Sequence, residues 1–249
     1  MSVLLYEKRN QIAYITLNRP ESLNSYNNER IEALGDALVD YRDDSSLLVA
    51  ILSGTGRAFS TGADLKEMTS LGQPAGTRKL RGPIREGVWK PMIAAVDGYA
   101  LAGGLGMTLE CDIRIATERS EFGDTATRVS ALGNLPLLDM IPMGDAMHIL
   151  LTGTRISAQE AHRIGLVHKV LSDREALMQE AEVIAEQIKL CAPLALQHIR
   201  RIAYARRSQP PNEIQELMLN ARSQLSETED AKEGPRAFAE KRKPVWKMR

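Results

Sequence analysis

The first half of the chain alternates two hydrophobic patterns. Residues 47–52 and 92–96 are short, continuous apolar runs, which are typical of strands buried on both faces of a parallel sheet. Residues 27–41 instead carry apolar side chains at helical spacing. Residues 3–8 and 11–17 alternate apolar with polar positions on either side of a turn, which predicts a hairpin at the sheet edge. This order of elements predicts an α/β fold with a parallel sheet covered by helices.

The second half is mainly helical by the same criterion. Strand signals nearly vanish after about residue 135, and Ser157 with Glu160 forms a capping box for a short helix. Four further amphipathic helices are predicted, at residues 173–189, 193–207, 211–225 and 230–240. We therefore expect a sheet-containing core at residues 1–172 and a helical region at residues 173–249.

Composition narrows the class of protein. Lysine plus arginine and aspartate plus glutamate each number 32 among 249 residues, so no overall field favours nucleic acid or an anionic membrane. Cys111 and Cys191 are the only cysteines, as expected for free thiols in a reducing compartment. There is no membrane-length apolar stretch or signal-peptide core, and the four histidines lack metal-ligand spacing. We expect a cytoplasmic protein without a metal site.

Two glycine-containing turns stand between strand and helix patterns. In residues 90–112 an apolar run leads into the small residues 102–106, which open a helical pattern, and residues 53–65 repeat this arrangement. The first N–H groups of a helix have no partner inside it and can hold an oxygen that carries negative charge. The two turns could therefore each contribute one N–H to the same oxyanion. The alternative is that the glycines only allow helix and sheet to pack closely.

Five segments carry motifs that can be compared with known families. They are NRPESLNSYN (18–27), GRAFSTGADLKEM (56–68), KPMIAAVDGYALAGGLGMTLECDIRIA (90–116), LLTGTRISAQEAHRIGLVHKV (150–170) and EDAKEGPRAFAEKRKP (229–244). In this order and spacing they resemble the crotonase superfamily, also called the enoyl-CoA hydratase/isomerase family. The resemblance implies a spiral core of stacked ββα turns and a C-terminal helical region that mediates trimers, often paired into hexamers. It also implies an acyl-CoA thioester as substrate, with coenzyme A as part of the substrate and no separate cofactor.

The resemblance assigns the two oxyanion donors to named residues. By motif position, the thioester oxygen lies between the backbone N–H groups of Ala63 and Gly103. Enolate-like charge develops on this oxygen during reactions of the family, and fixed donors stabilise it by a few kcal/mol each, as in other oxyanion holes.

Five further positions match residues that contact coenzyme A in similar proteins. The adenine is expected against the backbone near Thr61 and Leu65, and Lys66 matches a lysine near the phosphates. Phe238 and Lys241 match C-terminal positions that reach coenzyme A, often from a neighbouring subunit. A lysine suits a phosphate as a point charge, although both lysines could equally lie on a solvated face.

The two glutamates that hydratases of the family use as base and acid are missing. Gly106 and Ala126 stand in their positions, and neither side chain can move a proton, so simple hydration by that mechanism is not expected. Asp124 is the main candidate for a replacement, with a turn residue bonded to local backbone as the alternative. Glu110 and Asp139 are further candidates. Burial among apolar neighbours would raise the pKa of Glu110, and the favoured alternative is that it pairs with an arginine such as Arg114.

Two functions fit this sequence. The first is an enzyme that stabilises a thioester enolate and uses another acid–base group, in an isomerisation, decarboxylation, C–C hydrolysis or elimination. The second is a non-catalytic acyl-CoA-binding member of the family. A titratable side chain within reach of the substrate's α- or β-carbon would favour the enzyme.

Overall fold

The computed structural model describes residues 2–73 and 80–249, which build two β-sheets and the helices that cover them. In chain order the strands are β1 (Leu4–Arg9), β2 (Ile12–Leu17), β3 (Val49–Gly54), β4 (Ala58–Ser60), β5 (Met92–Val96), β6 (Tyr99–Leu101), β7 (Ile113–Thr117), β8 (Glu121–Gly123), β9 (Arg155–Ser157) and β10 (Lys169–Leu171). The helices are α1 (Asn28–Asp43), α2 (Leu65–Ser70), α3 (Gly103–Leu109), α4 (Met143–Thr152), α5 (Ala158–Arg163), α6 (Arg174–Lys189), α7 (Pro193–Ala205), α8 (Pro211–Ser226) and α9 (Asp230–Ala239).

The larger sheet has the strand order β1-β2-β3-β5-β7-β10. The predicted hairpin is confirmed, because β1 pairs with β2 in antiparallel register at the sheet edge. From β2 to β10 every pairing is parallel, and strands β3 and β5 are buried at every position. Their continuous apolar sequences therefore reflect burial on both faces.

The second sheet shows why the fold is a stack of ββα turns. Its order is β4-β6-β8-β9, so the pairs β3/β4, β5/β6 and β7/β8 each give one strand to each sheet. Helix α2 follows the first pair and α3 follows the second. The predicted crotonase-type α/β architecture is thus confirmed, and it places the starts of α2 and α3 on neighbouring turns.

Two short strands follow residue 135, where the sequence shows almost no strand signal. Strand β9 pairs with β8 in antiparallel register, and β10 extends the parallel sheet beyond β7. Both strands have three residues, lie at sheet edges and contain no fully buried side chain. A strand of three residues that is partly exposed to solvent contains too few apolar residues for its periodicity to be recognised.

Capping side chains start helices α5 and α6, the first of them as predicted. Ser157 accepts a hydrogen bond from the N–H of Glu160 at the start of α5, and Asp173 accepts one from Ala176 at the start of α6. These side chains satisfy N–H groups that have no acceptor within the helix. Among the described residues no helix is long and apolar enough to cross a membrane.

The first helix after the expected boundary at residue 172 packs against the larger sheet. Leu177, Ala181 and Ile184 of α6 are buried in one cluster with residues of β2, β3, β5 and β7. The division into residues 1–172 and 173–249 stays a prediction, since α6 is part of the packing around the sheet.

Candidate active site

The turn before α2 exposes one main-chain amide. Gly62 has φ +90°, a conformation that favours glycine. Its carbonyl accepts from the N–H of Tyr26 at 2.8 Å, and the N–H of Asp64 donates to the carbonyl of Tyr26 at 3.0 Å. In this parallel bridge the N–H of Ala63, which lies between them, points away from Tyr26.

The turn before α3 brings a second amide to the same place. Gly103 is the first residue of α3, so its N–H has no acceptor within the helix. A Cβ atom placed on Gly62 would lie 3.0 Å from the nitrogen of Gly103. Within residues 2–73 and 80–249, neither Ala63 nor Gly103 donates its N–H to a protein acceptor. Two free amides are thus next to each other, on the turns that the sequence singled out.

The residue before Gly103 holds the second turn in an uncommon conformation. Ala102 has φ +48° and ψ −119°, which non-glycine residues rarely adopt and which costs of order 1–3 kcal/mol. The carbonyl of Ala102 accepts a hydrogen bond from Nδ2 of Asn134 at 2.8 Å. The surrounding structure therefore enforces the backbone path that presents the amide of Gly103.

Two cavities meet at Gly103. The larger has a volume of about 360 Å³ and extends along α3 to Glu110, and the smaller has about 230 Å³ and reaches Ala63 and the start of α2. Both are bordered by Tyr26, Leu80, Gly103 and Asn134. A molecule whose middle lies at Gly103 can therefore place its two ends in separate spaces.

Gly106 and Ala126, which the resemblance assigns to the positions of the two hydratase glutamates, border these cavities from different sides. Gly106 lines the larger cavity and Ala126 the smaller. A Cβ atom on Gly106 would lie 2.4 Å from Oδ1 of Asn134, so this amide fills the space that a side chain at position 106 would need. An amide oxygen accepts hydrogen bonds but does not take up protons as a carboxylate does.

Asp124 lies beneath the site and borders neither cavity among the described residues. Its carboxylate is fully buried and accepts three hydrogen bonds. One comes from the N–H of Ala126 at 3.0 Å, and the others come from the N–H of Asn134 at 2.5 Å and its Nδ2 at 2.8 Å. This geometry matches the turn-residue alternative and makes Asp124 the group that orients Asn134.

The two other acidic candidates lie in different surroundings. Glu110 lines the far end of the larger cavity, where burial raises its pKa and Ile84 donates an N–H to its carboxylate at 3.3 Å. Arg114, its expected partner, instead donates to main-chain carbonyls, among them that of Cys111 at 2.7 Å. Glu110 stands seven residues after Gly103 along α3, which corresponds to about 10 Å of helix. Asp139 is exposed at the end of a short helical turn.

The coenzyme A candidates divide into two groups. Thr61 and Leu65 line the smaller cavity together with Ala63, so the structure brings these three residues together. Lys66 is exposed on α2, Phe238 is 86% exposed on α9, and Lys241 is exposed two residues after that helix. In the described part of the chain these three border neither cavity, and their roles stay predictions.

Three residues of the site were not found from the sequence. Tyr26 belongs to the motif at residues 18–27, and its ring packs against Gly103, where a Cβ atom would lie 2.4 Å from Cε1. Asn134 lies between the motif segments at residues 90–116 and 150–170, in a part of the chain to which no motif was assigned. Arg30 is buried on α1 and lines the larger cavity. Its position four residues before Leu34 puts it on the apolar face of the helix, a signal that was available.

The stacked ββα turns and the paired amides define a protein of the crotonase type. Residues 7–249 match the family model described as enoyl-CoA hydratase/isomerase. The chain therefore belongs to the enoyl-CoA hydratase/isomerase family. The match to the family model covers nearly the full length of the chain, so the resemblance inferred from the separate motifs is confirmed.

Individual relatives are similar over their whole lengths. The chain is 39% identical to the (E)-benzylidenesuccinyl-CoA hydratase of Thauera aromatica, over 97% of both chains. It is 36% identical to the carnitinyl-CoA dehydratase of Salmonella typhi over the full length of both. Among solved structures, the enoyl-CoA hydratase from Mycobacterium tuberculosis H37Rv superimposes with a TM-score of 0.92, at 34% identity and full coverage of both chains.

Proposed function

We propose that this protein is an enzyme that converts an acyl-CoA ester through an enolate. The N–H groups of Ala63 and Gly103 hold the thioester oxygen. The observation that carries the proposal is that these two amides are neighbours and that neither is used by the fold within the described residues. Preorganised donors of this kind stabilise charge as it develops and need no rearrangement during the reaction.

The two cavities suggest how the ester lies. Thr61 and Leu65 line the smaller cavity, which favours the coenzyme A side there. The larger cavity then takes the acyl group along α3, between Gly103 and Glu110. In this orientation the α- and β-carbons lie next to Tyr26 and Asn134, which border both cavities.

We assign proton transfer to a route without the two glutamates. Among the described residues, Tyr26 is the titratable side chain that borders both cavities, so its hydroxyl is the proposed acid–base group. Asn134 can accept a hydrogen bond through Oδ1 and orient a hydroxyl or water there. Asp124 was the sequence candidate for this role, and its three hydrogen bonds favour positioning of Asn134 instead.

The names of the relatives bear on the reaction type. One is a hydratase and another a dehydratase, which favours addition to, or elimination from, an enoyl-CoA. Gly106 and Ala126 argue that the proton route differs from that of the two-glutamate enzymes. We therefore propose an acyl-CoA lyase whose bond changes occur at the β-carbon of the enolate.

The alternative is an acyl-CoA-binding protein without turnover. It is favoured by one specific observation, that the carboxylate of Asp124 is taken up by local hydrogen bonds. This function keeps the amides of Ala63 and Gly103 as a clamp and needs no acid–base group.

The two functions are separated by mass spectrometry in deuterium oxide. A panel of saturated and 2-enoyl-CoA esters is incubated with the protein, and exchange at the α-carbon or addition across the double bond changes the mass. We expect exchange or addition with at least one ester, lost in Tyr26→Phe but kept in Tyr6→Phe, whose hydroxyl bonds Asp40 outside the site. Tight binding of esters without any mass change would favour the binder, and no binding would contradict both functions.

The role of Asp124 is tested with Asp124→Asn. The asparagine keeps an oxygen that can accept from Asn134 but cannot transfer a proton. A positioning role predicts that exchange is largely retained, whereas an acid–base role predicts that exchange is lost while ester affinity is unchanged.

A further inference from the structure

Arg30 of α1 is a buried cation whose guanidinium has two unused nitrogen atoms. The side chain is 1% exposed, and neither Nε nor Nη1 has a hydrogen-bond partner in the described part of the chain. Nη2 lies 3.7 Å from Sδ of Met107, and Cζ lies 5.4 Å from the centre of the Tyr26 ring. A thioether and an aromatic face are weak partners for a guanidinium.

This arrangement is costly to the free protein. Burying a charge without a hydrogen-bonded counter-ion is among the largest penalties a side chain can bring. Burial lowers the pKa of Arg30 to about 9, which is still well above neutral pH, so the guanidinium remains a cation. An apolar side chain would fill the same space without this cost, and a partner outside the chain would explain the arginine.

The position of Arg30 relates it to the acyl group. Arg30 lines the cavity of about 360 Å³ that begins at Gly103. Its neighbour Met107 follows Gly103 by four residues on α3, which corresponds to about 6 Å along the helix. A group that contacts Arg30 is therefore a few bonds beyond a thioester carbonyl held at Gly103.

Three further arginines line this cavity. They are Arg81, Arg85 and Arg207, and Glu110 is the acidic side chain among the described lining residues. Arg81 is already paired with Glu32, Asp36 and Glu86, whereas Arg85 and Arg207 are exposed. Positive charge beside a cleft attracts anions, and Arg85 and Arg207 provide it here.

We infer that the larger cavity takes an acyl group bearing a carboxylate, which pairs with the guanidinium of Arg30. The inference rests on the proposed function, because it needs the thioester at Gly103. It names a substrate class: acyl-CoA esters with a second, free carboxyl group a few carbons from the thioester. Ile31, Leu34 and Leu109 supply apolar walls for the carbons between the two ends.

Isothermal titration calorimetry on paired saturated esters tests the inference. Each pair has the same chain length and differs only at its end, such as glutaryl-CoA against pentanoyl-CoA and adipyl-CoA against hexanoyl-CoA. For at least one pair the wild type should bind the carboxylate ester about tenfold or more tightly, since hydrogen bonds between charged groups are roughly twice as strong as those between neutral groups. Arg30→Met should lose this preference, and Arg30→Lys should retain part of it.

Arg163→Met is the matched control. Arg163 is exposed on α5 and pairs with Glu160 away from the cavity, so its loss removes the same charge and should leave the preference unchanged. The unfolding midpoint of Arg30→Met should not fall below that of the wild type, since the substitution removes a buried unpaired charge.

The outcomes separate the inference from the proposed function. Equal wild-type affinity for both members of every pair overturns the inference and leaves the proposed function standing, whatever the variants do. A preference that survives in Arg30→Met also overturns it, since another group then binds the carboxylate. If no ester of either kind binds, the proposed function is wrong and the inference fails with it.

Discussion

A side chain at position 103 would collide with the ring of Tyr26. A Cβ atom there would lie 2.4 Å from Cε1 and 2.5 Å from the hydroxyl oxygen of Tyr26. The ring or the backbone would have to move, and a backbone shift would take the amide from its place beside Ala63.

We therefore expect Gly103→Ala to reduce turnover of an active ester by at least about 100-fold, the usual effect of losing one oxyanion donor. Steady-state kinetics on the ester found in the mass assay measures this. Gly144→Ala on α4 is the control, because a Cβ atom there meets nothing within 4 Å. Equal activity of the two variants would contradict the assigned role of Gly103.

Glu110 gives the site a pH-dependent contribution to stability. Burial raises its pKa above the ordinary value of 4.5. At a pH between 4.5 and the raised pKa, the folded protein therefore binds a proton that the unfolded chain does not. Stability from this group therefore increases as pH falls through the raised pKa and levels off below 4.5.

Glu110→Gln should remove this dependence. Urea denaturation at intervals from pH 8 to pH 4 should show the variant more stable than the wild type at the upper end, with the difference shrinking as pH falls. A difference that is constant over the whole range would show that Glu110 titrates normally in the folded protein.

Local motifs could place some residues of the site and not others. Ala63 and Gly103 follow from glycine-containing turns read through a family resemblance, because a turn's backbone depends on its own sequence. Arg30 and Asn134 depend on contacts with Met107 and Ala102, which lie 77 and 32 residues away in the chain. For Asp124 the sequence left an acid–base group and a locally bonded turn residue as alternatives, and its bond with the N–H of Ala126 is of the second kind.

Helix α7 contributes Tyr204 to the lining of the larger cavity, and one buried side chain, Arg200, attaches the helix. Arg200 donates through Nε to Asp112 at 2.7 Å, through Nη2 to the carbonyl of Glu110 at 2.7 Å and through Nη1 to the carbonyl of Val88. One turn further on, Tyr204 lines the cavity and bonds the same carbonyl of Glu110 at 3.1 Å.

Arg200→Met should destabilise the protein by about 3–5 kcal/mol, because it removes the buried cation that pairs with Asp112 and donates to the carbonyls of Val88 and Glu110. Chemical denaturation measures the loss. Arg206→Met, at an exposed position after the same helix, should change stability by less than about 0.5 kcal/mol. A similar loss in both variants would show that α7 is held mainly by other contacts.

Helices were predicted best where the hydrophobic periodicity and a capping residue indicate the same start. The start of α5 was visible because Ser157 and Glu160 form a capping box, whereas the cap of α6 at Asp173 was not identified as such. Strands β9 and β10 were missed because their pairing partners β8 and β7 lie about 30 or more residues earlier in the chain, and three residues cannot show a period.

At the scale of the whole molecule, the family resemblance predicts a trimer or a pair of trimers. Phe238 is 86% exposed on α9, an exposure that would be explained by contact with coenzyme A bound to a neighbouring copy. Sedimentation velocity should accordingly show a trimer or hexamer.

Phe238→Ala should weaken ester binding by about tenfold, the effect expected when an aromatic ring no longer stacks on a base. Titration calorimetry measures this, with Val183→Ala on α6, also an exposed apolar residue, as the control. Unchanged affinity in Phe238→Ala would exclude this contact with coenzyme A.

The central claim is that two main-chain amides hold the thioester carbonyl, and isotope-edited infrared spectroscopy tests it directly. An ester with ¹³C at the carbonyl is compared free and bound to the protein. Two short hydrogen bonds from Ala63 and Gly103 should shift the carbonyl band of the bound ester to lower wavenumber than in water, with a smaller shift in Gly103→Ala. A bound ester whose carbonyl band stays at its position in water would contradict the account.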